Sequence, residues 1–391
     1  MSDRSIAVRR MVGRARDEEH RASTPLELFF DLCFVVAVAQ AGGQLAHALA
    51  EGEGWSALPH YLFVFFGVWW AWMNFTWFAS AYDTDDVPYR VATMVQIAGA
   101  LIFAAGVPRL FAGMYTVGVI GYVVMRTVMV TQWLRVAGAA SGSERTMALR
   151  YARGIALVQA LWVVMLFLPH TAQPVVTVLI IVCELAVPVY AERRYETSWH
   201  PEHIAERYGL FTLIVLGETV SAATVAIQSG FDTHGALWRL LPIAGGGLLI
   251  CFSAWWIYFA RPAHEYLHSN SQAFLWGYGH YLVFLSVAAI GAGLEVAVEH
   301  AVGKAETSGL AAAAVVTLPA ALYLFVVWAI HSRHTKTGVQ QLVLPAAAVC
   351  VLLTTFVGGE AAVLVAGLVC AAAVALGLTL HLRAGTSAAT D

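Results

Sequence analysis

The sequence predicts an all-α polytopic membrane protein with about twelve transmembrane helices. Three observations carry that expectation. Of 391 residues, 59% are hydrophobic and only 12% are charged, about half the charge share of a soluble domain. Apolar stretches of membrane-spanning length recur along nearly the whole chain. Those stretches also lack the polar outer face that a soluble helix bundle needs.

Taken in order, the first stretch, 26–49, follows Thr24-Pro25-Leu26-Glu27. That tetrapeptide fits a helix start with Thr24 as N-cap, Pro25 at the first helical position and Glu27 at the third. The second, 59–80, is dense in tryptophan and phenylalanine and closes on YDTDDVPY, Tyr82 to Tyr89. Spans at 91–113, 115–134, 151–169 and 174–191 complete a first set of six. A charged loop at 192–206 leads into 207–227, followed by 238–260, 274–298, 309–330, 341–357 and 361–382. The arginine- and serine-bearing stretch 136–150 reads as the other main cytoplasmic loop. The five cysteines, Cys33, Cys183, Cys251, Cys350 and Cys370, all fall within spans. That placement argues for small packing residues rather than disulfides or a thiolate metal site.

Basic residues set the orientation. Residues 1–22 form a basic tail with Arg4, Arg9, Arg10, Arg14, Arg16 and Arg21 and no apolar run, which argues against a cleavable signal peptide and puts this end in the cytoplasm. Alternating from there, eighteen Lys and Arg residues fall on the cytoplasmic side. Only Arg109, Arg239 and Lys304 fall outside, and Arg126 lies within a span. Both termini are therefore expected inside, in a bacterial plasma membrane. The seventh span opens HPEHIAERYGLF where the first opens STPLELFFDLCF, and SAWWIYFARPAHEY answers the aromatic second span. Offsets of 176 for Pro25 to Pro201, 179 for Glu27 to Glu206 and 186 for Trp69 to Trp255 point to a parallel 6+6 internal repeat. The expected organisation is a tail at 1–22, six-helix halves at 23–192 and 193–383, and a C-terminal tail at 384–391.

Candidate site residues gather near the starts of a few helices. Glu27 has a simple role in capping. Asp31 lies one turn deeper on the same face, at a depth where carboxylates are rare, and reads as part of a polar cavity or a buried ion pair. In Asp83-Thr84-Asp85-Asp86, a continuous helix would set Asp83, Asp86 and Arg90 on one face, with Asp86 and Arg90 as an i,i+4 pair. Pro88 favours a turn instead, in which the aspartates could converge on Mg²⁺ or another divalent cation. The same four letters form a DxDD string, whose middle acid, Asp85, could protonate an alkene beside an aromatic pocket. Trp70 and Asn74 would line that pocket, although Trp69, Trp70, Trp72 and Trp77 also suit an interfacial belt. At the seventh span, His203, Glu206 and Arg207 share a helical face. This arrangement suits a hydrogen-bonded cluster or, with Asp83 and Asp86, a metal site. Glu218 lies about 18 Å further along that helix, near mid-bilayer, where acids carry protons. His280 lies about two turns into the ninth span, within reach of such an acid. Arg126 and Glu184 form a plausible structural pair.

TPLELFFDLCFVVAVAQ, YDTDDVPYR after an aromatic helix, and HIAERYGLFTLIVLGETV stand in this order along the chain. Together they resemble the bacterial low temperature requirement A (LtrA) family, over about residues 22 to 380. The resemblance takes in Glu27, Asp31, Asp83, Asp85, Asp86, His203, Glu206, Gly217 and Glu218, with His280 as a further position. The chain departs from the family pattern at Tyr208, where histidine is usual, and at Cys33, where an aliphatic residue is usual. The resemblance implies a multi-span bacterial membrane protein named for a cold-growth phenotype, and it supplies no substrate.

Two readings of the residues stand. The first is a proton- or ion-coupled carrier, with Glu218 carrying the proton and Asp31 with the DTDD acids forming an inner gate positioned by His203 and Glu206. The second is a membrane-embedded enzyme acting on a lipid-soluble isoprenoid or prenyl diphosphate. In that reading Asp83, Asp85 and Asp86 are the proton donor or metal site. Asp31, Glu27, Trp70, Asn74, Arg90 and His280 are the residues expected to contact the substrate. No P-loop or dinucleotide fingerprint occurs, and the basic residues follow membrane topology rather than nucleic-acid binding. The partners expected are the lipid bilayer and a small molecule or ion.

Overall fold

The computed structural model describes residues 8–15, 18, 21–231, 237–267 and 269–387. Arg4 and Arg16 of the basic tail and residues 388–391 of the expected C-terminal tail lie outside the described residues. Every regular element among the described residues is helical. Unbroken apolar sequence explains this, because a backbone in lipid must satisfy its own hydrogen bonds. The chain runs α1 (Pro25–Ala50), α2 (Gly54–Tyr82), α3 (Val87–Phe111), α4 (Thr116–Ala139), α5 (Gly142–Met165), α6 (Gln173–Ala191) and α7 (Pro201–Phe231). It continues through α8 (Leu237–Phe259), α9 (Asn270–Ala301) and α10 (Gly309–Val327), which ends in a π-helical turn at Trp328–Ser332. The short α11 (Arg333–Thr335) then leads to α12 (Val343–Thr354) and α13 (Gly359–Ser387).

Eleven segments among the described residues are long and apolar enough to cross a membrane. The twelfth long helix is α7, 31 residues with Glu202, His203, Glu206 and Arg207 in its first two turns. Each expected span falls on one of these helices, but two boundaries move. Residues 142–150, expected in a loop, form the first turns of α5. Their Arg145 and Arg150 lower hydropathy without lowering helix propensity. Likewise, α7 begins at Pro201 rather than at 207, because proline is favoured in a first helical turn.

The chain separates into two compact units, Met1–Gln40 with Phe66–Arg207, and Ala41–Phe65 with Tyr208–Asp391. In the first unit α3 and α4 form a hairpin in close backbone contact. A Cβ built at Gly106 would lie 2.7 Å from the Gly118 nitrogen, and one at Gly99 3.0 Å from the Gly121 carbonyl oxygen. Small residues are the usual way for membrane helices to approach this closely. Aromatic contacts fill the rest of that unit. Phe30 stacks on Phe75 with centroids 3.9 Å apart, and Trp133 on Tyr151 at 4.1 Å. The second unit packs α9 against α10 at Gly293 and Val315, and α8 against α13 at Gly246 and Gly367. There Tyr61 and Tyr323 donate their buried hydroxyls to the carbonyls of Leu285 and Ala254, at 2.8 and 2.7 Å.

Candidate functional site

Four ionisable side chains meet inside the first unit, where α1, α2 and the start of α7 come together. Thr24 and Glu27 form the expected capping box: Thr24 N donates to Glu27 Oε2 at 2.8 Å, and Glu27 N to Thr24 Oγ1 at 3.3 Å. The cap turns the Glu27 carboxylate inward. Its Oε1 lies 3.0 Å from Arg207 Nη1 and 3.2 Å from His203 Nε2. The Arg207 contact is one of charge, since its angle leaves both atoms without a hydrogen-bond partner. Arg207 reaches one turn deeper to Asp31, donating from Nη2 to Oδ1 and from Nε to Oδ2 at 3.2 Å. Trp72 on α2 donates Nε1 to Asp31 Oδ1 at 2.7 Å. Glu27, Asp31, His203 and Arg207 are all fully buried.

The depth of Asp31 pointed to an ion pair, and the pair is present. Its partner Arg207 stands at the edge of the seventh apolar stretch, where sequence places it on a helical face without naming its acid. The requirement that a buried carboxylate finds a cation was the signal that could have identified it. Glu206 does not join the group. His203 and Arg207, four apart, face inward, while Glu206 is exposed and accepts from Ser23 N at 3.2 Å.

The DTDD segment is a turn between helices, so the expected Asp86–Arg90 pair gives way to other partners. Asp86 caps α3, accepting from Tyr89 N at 2.9 Å, and also binds Arg9 N at 2.9 Å and the Arg135 guanidinium at 2.7 Å. Burial opposes its ionisation, but those two backbone N–H groups and Arg135 outweigh it and hold the carboxyl below its usual range. Arg90 instead takes Asp85 in a two-pronged pair at 2.7 and 2.8 Å, exposed to the surroundings. Asp85 has a φ of 47°, a conformation that aspartate tolerates. Asp83 Oδ1 accepts from Asp85 N at 2.9 Å. Burial, and then the charge of Glu27, push the Asp83 carboxyl up to about 6. Arg21, missed at the level of motifs, is buried and donates to the last-turn carbonyls of α2, Ser80 O and Ala79 O. There a cation meets the negative end of the helix. The hydroxyl of Tyr89 is buried without a hydrogen-bond partner.

Glu184 and Arg126 pair at 3.0 Å, as expected. Glu184 also accepts from Trp70 Nε1 at 3.0 Å, Tyr122 OH at 3.0 Å, Gln159 Nε2 at 2.9 Å and Trp162 Nε1 at 3.3 Å. This carboxylate therefore ties α2, α4, α5 and α6 together, and Trp70 serves it. Asn74 donates to Trp70 O within α2 at 2.8 Å. In the second unit no acid among the described residues pairs with His280. Its Nε2 pairs with the Tyr258 hydroxyl at 2.9 Å and its Nδ1 with Trp276 O at 2.7 Å, because its neighbours there are aromatic. Glu218 is half-buried, and among the described residues no hydrogen bond or ion pair holds it. Nor do any three His, Cys, Asp or Glu side chains among the described residues form a group that could hold a metal ion. Asp83, Asp86, His203 and Glu206 each keep the separate partners given above.

An uncharacterized protein of Rhizobium meliloti (strain 1021) is 27% identical over 301 residues, which is 67% of this chain and 66% of that protein. The chain thus spans just under two thirds of the length of that curated relative. No solved structure matches. The family model described as bacterial low temperature requirement A protein matches residues 22–380. That range takes in α1 with Asp31, the DTDD turn and α7 with Arg207, and the chain belongs to the bacterial low temperature requirement A family.

Proposed function

We propose that this family member is a proton- or ion-coupled membrane carrier whose coupling site is the buried cluster of Glu27, Asp31, His203 and Arg207. The observation that carries the reading is the charge of that cluster. Two carboxylates face one guanidinium in a fully buried place. One negative charge is left over, and a buried site does not tolerate an unbalanced charge. Asp83 and Arg21 lie close enough for their charges to bear on each other and add one charge of each sign, so the surplus remains. A proton on His203 or Asp83, or a bound monovalent cation, completes the balance. His203 Nδ1 has no hydrogen-bond partner and is a place for that proton. The site thus takes up and gives back one positive charge, which is what coupling requires. Glu218, further along α7 and without a partner among the described residues, is a second protonatable position on the same helix.

The carrier reading goes with twelve crossings, both termini in the cytoplasm and a parallel repeat. In support of the repeat, Pro25 and Pro201 each open a long helix, and glycine-lined hairpins recur as α3–α4 and α9–α10. The enzyme reading has less support. Asp85, its proton donor, is half-exposed and neutralised by Arg90.

The test is purified protein in proteoliposomes loaded with a pH-sensitive dye and challenged with a panel of small solutes and ions. The expected result is solute-dependent proton movement in the wild type that is lost in Asp31→Asn and in Glu218→Gln, with insertion unchanged. Proton movement that survives both substitutions sinks the assignment. Metal-dependent turnover of a prenyl diphosphate, lost in Asp85→Asn, would transfer the function to the enzyme reading.

A further inference from the structure

A cavity of about 360 Å³ opens inside the second unit, at the end of the bundle formed by the C-terminal turn of α8, the link after α10 and the second half of α13. Its volume lies within the roughly 300–1,000 Å³ of small-molecule sites. Its lining is mixed. Arg261 and Lys336 stand just beyond the ends of α8 and α11, with His381 late on α13, while Leu344 at the start of α12 and Val374 and Leu378 on α13 give an apolar wall. Among the described residues no carboxylate pairs with the exposed Arg261 or the half-buried Lys336, although the other buried or half-buried cations discussed above each have an acid or a carbonyl.

Two like charges brought together without an acid are unfavourable, so the arrangement needs a reason. Burial, and then the charge of Arg261, draw the Lys336 ammonium below its usual range, which places the two cations within reach of each other. An anionic phosphate head satisfies both. Arginine takes two phosphate oxygens in a fork, and lysine adds a point charge. The apolar wall then accepts a chain. Both cations sit just beyond helix ends, where basic residues commonly meet lipid headgroups. Tyr258 and His331 also line the cavity, with Tyr258 bonded to His280.

We propose that this cavity binds a phosphate-bearing amphiphile, with its head between Arg261 and Lys336 and its chain along Leu344, Val374 and Leu378. The site is separate from the coupling cluster and stands or falls independently of the carrier reading. Two sources share the chemistry, an anionic phospholipid of the surrounding leaflet and a lipid-soluble phosphorylated metabolite.

Native mass spectrometry of the full chain, released from detergent and titrated with defined ligands, tests it. The ligands are phosphatidylglycerol, phosphatidylcholine, a prenyl monophosphate and inorganic phosphate. The variants are Arg261→Gln/Lys336→Gln and, as a control cation in another loop, Lys304→Gln. The expected result is retention of phosphatidylglycerol or of the prenyl phosphate in preference to phosphatidylcholine. Whichever binds more tightly names the source. The double variant should lose roughly 30-fold in affinity, at about tenfold per 1.4 kcal/mol for two juxtamembrane cations, while Lys304→Gln keeps wild-type binding. Thermal melting of both variants checks their folding. Should the double variant melt early, Leu378→Trp, which fills the space along the apolar wall and leaves the cations in place, should abolish chain-dependent binding. Equal binding of the amphiphile by the wild type and the folded double variant overturns the proposal. So does inorganic phosphate binding as tightly as the amphiphiles, since the apolar wall would then play no part.

Discussion

Asp83 shows how one side chain records its surroundings. Its carboxyl sits at the end of α2 among Glu27, Asp85 and the Arg21 guanidinium, and is pushed up to about 6. The folded protein therefore binds a proton more tightly than the unfolded chain between the ordinary aspartate value near 4 and about 6. In that window stability falls as pH rises, and above it the ionised carboxylate costs up to about 3 kcal/mol. Asparagine keeps the side-chain oxygen that accepts from Asp85 N and removes the titration. Asp83→Asn should therefore melt higher than wild type at pH 7.5, match it near pH 4, and show a flatter profile between. Melting curves in detergent at a series of pH values check this, and identical pH profiles for the two proteins would refute the assignment.

Among the elements, the α3–α4 hairpin depends on what its glycines lack. Gly106 and Gly118 let the two backbones touch, and a side chain at Gly106 would run into the backbone of Val117 and Gly118. Gly106→Leu should part the hairpin and lower the melting temperature or the yield of folded protein. By contrast Gly138→Leu, at a helical glycine with open space around it, should be tolerated. Comparison of the two by size-exclusion chromatography and thermal melting reads the difference. The hairpin itself is legible in the chain, because a short link between two apolar stretches leaves antiparallel neighbours. So is the cap at Thr24-Pro25-Leu26-Glu27, whose signals are local. The 83–86 turn was only half legible: Pro88 hinted at a break, but the Asp86 cap sends its free oxygen to Arg135, 49 residues on. Pairings such as Asp31 with Arg207 span 176 residues. Periodicity shows that a buried acid needs a cation but not which helix brings it.

For the molecule as a whole, the open quantity is the number of crossings, and α7 decides it. Eleven segments cross by length and apolarity, whereas α7 begins with Glu202, Glu206 and Arg207. Were α7 to stay on one side, everything after it would be inverted. The cations Arg261, Arg333, Lys336 and Arg383 would then lie outside, against the pull of basic loops toward the cytoplasm. Burial gives α7 a reason to cross despite its charges. His203 and Arg207 turn inward to Glu27 and Asp31, so neither side chain has to face lipid. The link between α9 and α10 is the position that separates the two topologies, and it carries Lys304 as its lone basic residue. In a background without native cysteines, Ala305→Cys should react with a membrane-impermeant maleimide in intact cells. Ser141→Cys, in the link before α5, should react only after lysis. Protection of Ala305→Cys in intact cells would mean eleven crossings. It would also leave the Glu27–Arg207 cluster at the membrane surface, where it could not couple a proton to transport.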